Sequence, residues 1–139
     1  MIYYALIIFF CFLIAVYDIC TYRIPDLLLL MFLLLMLLLG GSNMNENIIS
    51  RLLVSTIVLF LFSAVWYFSK GLGLGDVKYA ALLGFILVPE ILIKALFTTA
   101  LLGLVVFMTG IFIFKWSKET KIPYAPFLSM GAIFAVGWI

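Results

Sequence analysis

Three aspartates set the chemical possibilities of this 139-residue chain: Asp18 in "LIAVYDICTY", Asp26 in "RIPDLLLL" and Asp76 in "KGLGLGDVKYA". Each sits in, or at the edge of, a long apolar run. A carboxylate inside a membrane span costs roughly 2.5–3.5 kcal/mol on insertion scales, so one that persists there usually marks a function. Two carboxylates held close together cannot both ionise cheaply, and they share a proton. The ionised member is then a general base for water, and the protonated member a general acid for a carbonyl or a leaving amine. Peptide hydrolysis needs no more than this. Histidine is absent, which removes Ser-His and Cys-His catalysis together with the commonest metal ligand. No metal and no cofactor is expected.

Each aspartate also has a plainer reading. Asp18 alone fits a structural hydrogen bond near the membrane interface. Asp76 alone fits a helix cap, because Asp is a favoured N-cap residue that complements the helix dipole. Asp26 follows Pro25 in the first turn of an apolar segment, where the same dipole argument is stronger. The glycines before Asp76 have two compatible readings. Gly73 and Gly75 can adopt turns closed to other residues, and without Cβ atoms they can admit a substrate backbone close to Asp76.

The elements that must position these residues are membrane helices. The chain is 68% hydrophobic and 10% charged, whereas soluble domains average about half apolar and about a quarter charged. A transmembrane helix needs roughly 20 mostly apolar residues, so the expectation is an all-α polytopic membrane protein of about six spans. Residues 1–139 then form a single transmembrane domain. Polar punctuation divides it into segments of about Ile2 to Cys20, Pro25 to Gly40-Gly41, Ile48 to Phe68, Asp76 to Val88, Ile91 to Phe114, and from Pro126 onward. Pro25 suits the start of a helix, where its missing N–H is not needed. The N-terminus lacks the basic n-region of a cleavable signal peptide, so the first segment reads as a retained helix. Cys11 and Cys20 lack the CxxC spacing of a redox or metal site and read as small buried hydrophobes.

Charge sets the orientation. Arg23, Lys70, Lys78, Lys115, Lys118 and Lys121 fall beside the odd-numbered loops, and only Arg51 and Lys94 lie on the other side. The positive-inside rule puts the odd loops in the cytoplasm and the N-terminus outside. Asp18 and Asp76 then lie at matching depth near the cytoplasmic face. Lys78, two positions past Asp76, points to another helix face and reads as snorkelling toward headgroups. The net charge of +2 comes without a polar basic patch, so nucleic acid is not an expected partner.

Three blocks resemble the catalytic core of the type IV prepilin peptidase family, membrane aspartyl proteases that trim prepilins and pseudopilins. The first is "DICTYRIPD", where the family shows an aspartate, a polar stretch and Ile-Pro-Asn. The second is "GLGLGDVKYAALLG", containing the GxGD motif. The third is "IPYAPFLSMGA", similar to the family's "IPFGPFLALGA". The blocks occur in the family's order and cover most of the chain. The resemblance implies that Asp18 and Asp76 are the catalytic pair and that Gly73 and Gly75 form the GxGD turn, with Pro25 and Asp26 shaping the site. Asp26 stands where Asn is commoner, and Ala125 where glycine is usual. The implied substrate is a prepilin-like protein with a basic leader and a hydrophobic helix, met within the lipid bilayer of the cytoplasmic membrane. Nothing here corresponds to the cysteine-rich N-terminal domain that many bacterial members link to N-methylation, so that second activity is not expected.

Two other readings compete. Tyr17-Asp18 and the GxGD block also fit presenilin-like intramembrane proteases, but their Pro-Ala-Leu element is missing. A small proton or ion carrier would also need intramembrane carboxylates, placed nearer the bilayer midplane along a polar lining.

Overall fold

The computed structural model describes residues 2–45, 48–69, 72–112 and 123–138. Every regular element among them is a helix: α1 (Ile2–Thr21), α2 (Asp26–Asn45), α3 (Ile48–Ser69), α4 (Leu74–Ile86), α5 (Pro89–Phe112) and α6 (Ala125–Gly137). A membrane has no water to satisfy loose backbone groups, so a greasy chain folds into segments that bond internally. Three of the helices, α1, α3 and α5, are long and apolar enough to cross a bilayer. The six helices answer to the six segments expected, the shorter fourth included, and α4 and α6 have 13 residues each.

The boundaries differ from the sequence reading in instructive ways. α2 continues past Gly40 and Gly41 to Asn45, because a helix that keeps its own hydrogen bonds tolerates two glycines at roughly 1 kcal/mol each. Pro25 is the residue before α2 rather than part of its first turn, and its carbonyl accepts from the Leu28 and Leu29 amides at 3.0 and 3.4 Å.

α5 packs closely on α6, α3 on α4, and α1 on α6, while α2 leans more lightly on α1 and α4. α2 attaches through Leu29, Phe32 and Met36, spaced to share one helix face. Phe32 stacks on Phe10 of α1 with ring centroids 4.8 Å apart. Large apolar side chains cover the outside as well, with Phe60 and Leu38 each 76% exposed. That surface is what a bilayer solvates.

Three charged or polar residues are placed otherwise than expected. Lys78 does not snorkel: its Nζ forms an ion pair with Asp26 at 2.8 and 2.9 Å. Arg51 is buried at 7% exposure, so it is more than a topology marker. Cys20 is exposed while Cys11 is buried. Lys70, Lys115, Lys118 and Lys121 lie outside the described residues.

Candidate active site

Asp18 occupies the last turn of α1 and Asp76 the first turn of α4, and they are 4% and 8% exposed. α1 and α4 run in opposite directions, so these turns fall at the same end of the bundle. The two carboxylates line one cavity of about 270 Å³, together with residues 22–24 and 73–75. They are close enough to interact as charges. Asp18 Oδ2 and Asp76 Oδ1 are both buried without a hydrogen-bond partner. Buried carboxylate oxygens in native proteins are normally satisfied, so a pair of orphans on one cavity points to a ligand, a water or a proton that belongs there.

The local chain explains how each side chain is held. α1 ends in "YDICTYRIP". The Asp18 carbonyl accepts from the Tyr22 amide at 2.8 Å. Tyr22 itself sits at φ 53°, the left-handed conformation that ends many helices and that usually falls to glycine. A non-glycine residue there costs roughly 1–2 kcal/mol, and the bend swings residues 22–24 back over the cavity. The Thr21 hydroxyl lies 2.9 Å from both the Tyr17 and Arg23 carbonyls, donating to one at a time and bridging the bend.

α4 begins at Leu74, two residues before Asp76. Asp76 is therefore the third residue of the helix rather than its cap. Its Oδ2 accepts from the Gly73 amide at 3.1 Å, which leaves Oδ1 free for chemistry. One oxygen of the carboxylate thus serves the start of the helix, and the other is left without a partner. The glycines are needed, but not for a special turn. Gly73 has φ −78° and ψ 148°, ordinary extended backbone, and neither Gly73 nor Gly75 lies in the left-handed region. What they provide is space. A Cβ on Gly73 would meet Asp76 Oδ2 at 3.1 Å, and one on Gly75 would meet Ile24 Cβ at 3.2 Å. Gly73→Ala should leave the protein folded yet push the carboxylate by a few tenths of an ångström, lowering kcat by roughly tenfold. Steady-state cleavage kinetics beside a thermal unfolding curve check this.

A third contributor went unnoticed in the sequence. The start of α6 at the fully buried Ala125 lies near enough to both carboxylates to act on their charge. A helix N-terminus carries partial positive charge and free N–H groups, so α6 stabilises negative charge on the pair. Packing fixes it there. Tyr79, one turn after Asp76 and fully buried, hydrogen-bonds Ser129 of α6 at 2.8 Å. Thr99 of α5 lies 3.2 Å from the Phe127 carbonyl. Gly131 lets α6 approach the α5 backbone at Ala95. The sequence signal was Pro126, which marks a helix start, but nothing there says where that start points. Tyr124 lies just before α6; burial first and the Asp76 charge second hold its phenol above the ordinary pKa, so it stays protonated at neutral pH.

Pro25 and Asp26 do not line the cavity. Asp26 turns outward to Lys78, and the third carboxylate is neutralised outside the site. Ile122, the first residue of the "IPYAPFLSMGA" block, lies outside the described residues. Among the described residues, no three of His, Cys, Asp and Glu converge as a metal site would require.

Two buried carboxylates that line one cavity at one end of an apolar helical bundle can carry out acid–base chemistry. The type IV leader peptidase family model matches residues 5–108. The chain belongs to that family, and it is a peptidase of that general kind. Comparison with curated proteins and with solved structures returned no match.

Proposed function

We propose that this chain is an aspartyl endopeptidase that removes the leader from prepilin-like or pseudopilin substrates at the cytoplasmic face of the cytoplasmic membrane. One observation carries the reading: Asp18 and Asp76 line one cavity, and each keeps a buried carboxylate oxygen, Oδ2 and Oδ1, without a partner. The substrate's hydrophobic helix lies among the spans, and its basic leader extends into the cytoplasm. The peptide bond between them reaches the cavity. The ionised carboxylate takes a proton from water as the oxygen attacks the carbonyl carbon, and the protonated carboxylate hydrogen-bonds the carbonyl oxygen. Collapse of the tetrahedral intermediate breaks the C–N bond, and a carboxyl proton passes to the leaving amine. Water has then been added across the bond, and the pair again holds one proton. The start of α6 at Ala125 and the Gly73 N–H favour the ionised carboxylate before water gives up its proton and again once the amine has left.

The test uses the purified full chain in lipid nanodiscs with a substrate bearing a basic leader, a glycine and a hydrophobic helix. The expected product is cleavage after the glycine, unchanged by EDTA. Abolition of cleavage by the chelator, or no cleavage of any such substrate, counts against the reading. The orientation is read separately, by labelling an introduced cysteine beside Arg23 from each side of sealed vesicles. The positive-inside rule expects labelling from the cytoplasmic side.

A further inference from the structure

The end of the bundle opposite the carboxylates holds a buried polar cluster that hydrolysis does not use. Tyr3, in the first turn of α1, donates its hydroxyl to the Ile86 carbonyl at 2.6 Å. Arg51, in the first turn of α3, donates Nη1 to the same carbonyl at 2.7 Å and to the Phe85 carbonyl at 3.3 Å. Its guanidinium also reaches the Tyr3 oxygen. Ile86 is the last residue of α4. The final carbonyls of a helix have no donor within it, and an unmet carbonyl in an apolar setting is costly. A cation at that end also complements the helix dipole. The local chemistry therefore accounts for a buried arginine.

The cluster also has a mechanical consequence. It joins α1 and α4, the helices that carry Asp18 and Asp76, at the ends far from those residues. Between the two ends the α1 and α4 backbones do not pack closely; their side chains meet at the buried Cys11 and Tyr79, a contact that has no part in the Ile86 cluster. A helix is a stiff rod rising about 1.5 Å per residue, so fixing Ile86 fixes the depth of Asp76 roughly 15 Å away, and fixing Tyr3 fixes that of Asp18 roughly 22 Å away. We propose that Tyr3 and Arg51 are positioning residues, a clasp that sets the axial register of α1 against α4 and so brings the two carboxylates to one level. This rests on the aspartyl peptidase reading. A slip of one residue would displace a carboxylate by about 1.5 Å, and misplacement by about 1 Å can cost a hundredfold in rate.

The experiment compares Tyr3→Phe, Arg51→Gln, the double variant, Arg51→Lys and the neighbouring control Tyr4→Phe, all normalised to folded protein. Cleavage kinetics are paired with a register measurement that needs no catalysis. For the latter, cysteines replace Asp18 and Asp76 in a Cys20→Ser background and are joined by a short bis-thiosulfonate reagent. Tyr3→Phe and Arg51→Gln should each lower kcat about tenfold or more with KM changed less than about twofold. The double variant should be little worse than the weaker single variant, since both residues serve one carbonyl. Arg51→Lys should recover most of the rate, and Tyr4→Phe should behave as wild type. Cross-linking between positions 18 and 76 should fall in the same variants. Folded Tyr3→Phe protein with wild-type kcat and wild-type cross-linking overturns the clasp. That variant removes a single oxygen, so it decides the matter even if Arg51→Gln fails to fold. Loss of cross-linking in a chain that cleaves nothing would instead leave the clasp standing and remove the peptidase assignment of the pair.

Discussion

Asp18→Asn and Asp76→Asn should each lower kcat by roughly a thousandfold or more, with substrate affinity little changed. Asparagine keeps the size of the side chain and can keep the fold, but it can neither accept a proton from water nor hand one to the amine. The two carboxylates act as one unit: each supplies the state that the other lacks. The double variant should therefore be no worse than the weaker single variant, the non-additivity expected of residues sharing a single step. The measurement is single-turnover cleavage of a prepilin-like substrate in nanodiscs by equal amounts of folded protein. Either single variant cleaving near the wild-type rate would end the two-carboxylate mechanism.

The second large effect is structural and falls on the other side of the site. A Cβ at Gly131 would collide with the Thr99 hydroxyl and with the Ala95 backbone carbonyl, and would lie 3.1 Å from the Thr98 hydroxyl. A hydroxyl can rotate away, but a carbonyl within α5 cannot. Gly131→Val therefore has to prise α6 from α5. Overpacking typically costs about 1–3 kcal/mol, and a backbone obstacle places this case at the upper end. Activity should fall with stability, because Ala125 is carried on the same helix. The control is Gly103→Ala, where nothing lies within 4 Å of the added methyl and a helical glycine is removed, a change expected to stabilise by roughly 0.5–1 kcal/mol. Thermal unfolding followed by circular dichroism separates them. A Gly131→Val protein that melts with wild type would show that the α5–α6 packing is misdescribed.

The helices were legible because hydrophobic runs broken by "TYRIP", "KGLGLG" and "VPE" leave few alternatives in a membrane chain. Their ends were less so. α4 starts at Leu74 rather than Asp76, since an aspartate at the third helical position and one at the cap obey the same dipole argument. The aspartates could be named from type and setting. That they share a cavity depends on α1 and α4 running in opposite directions, a property of the assembled bundle. Of the two readings of the glycines, the special turn does not hold, while the missing Cβ matters for the protein's own packing: crowding by Asp76 and Ile24 is a property of neighbours that the motif does not display. The approach of Ala125 to the carboxylates, the Lys78–Asp26 ion pair and the burial of Arg51 had no signature at all. Each joins positions far apart in the chain.

The brevity of α4 also bears on the supply of a reactant. Its 13 residues span roughly 20 Å, against a hydrocarbon layer about 30 Å deep, and Asp76 stands in its first turn. On the reading proposed above, hydrolysis consumes water at that turn. A short helix can keep its start near the headgroups in a thin bilayer, whereas a thicker one would place the same carboxylate farther from solvent.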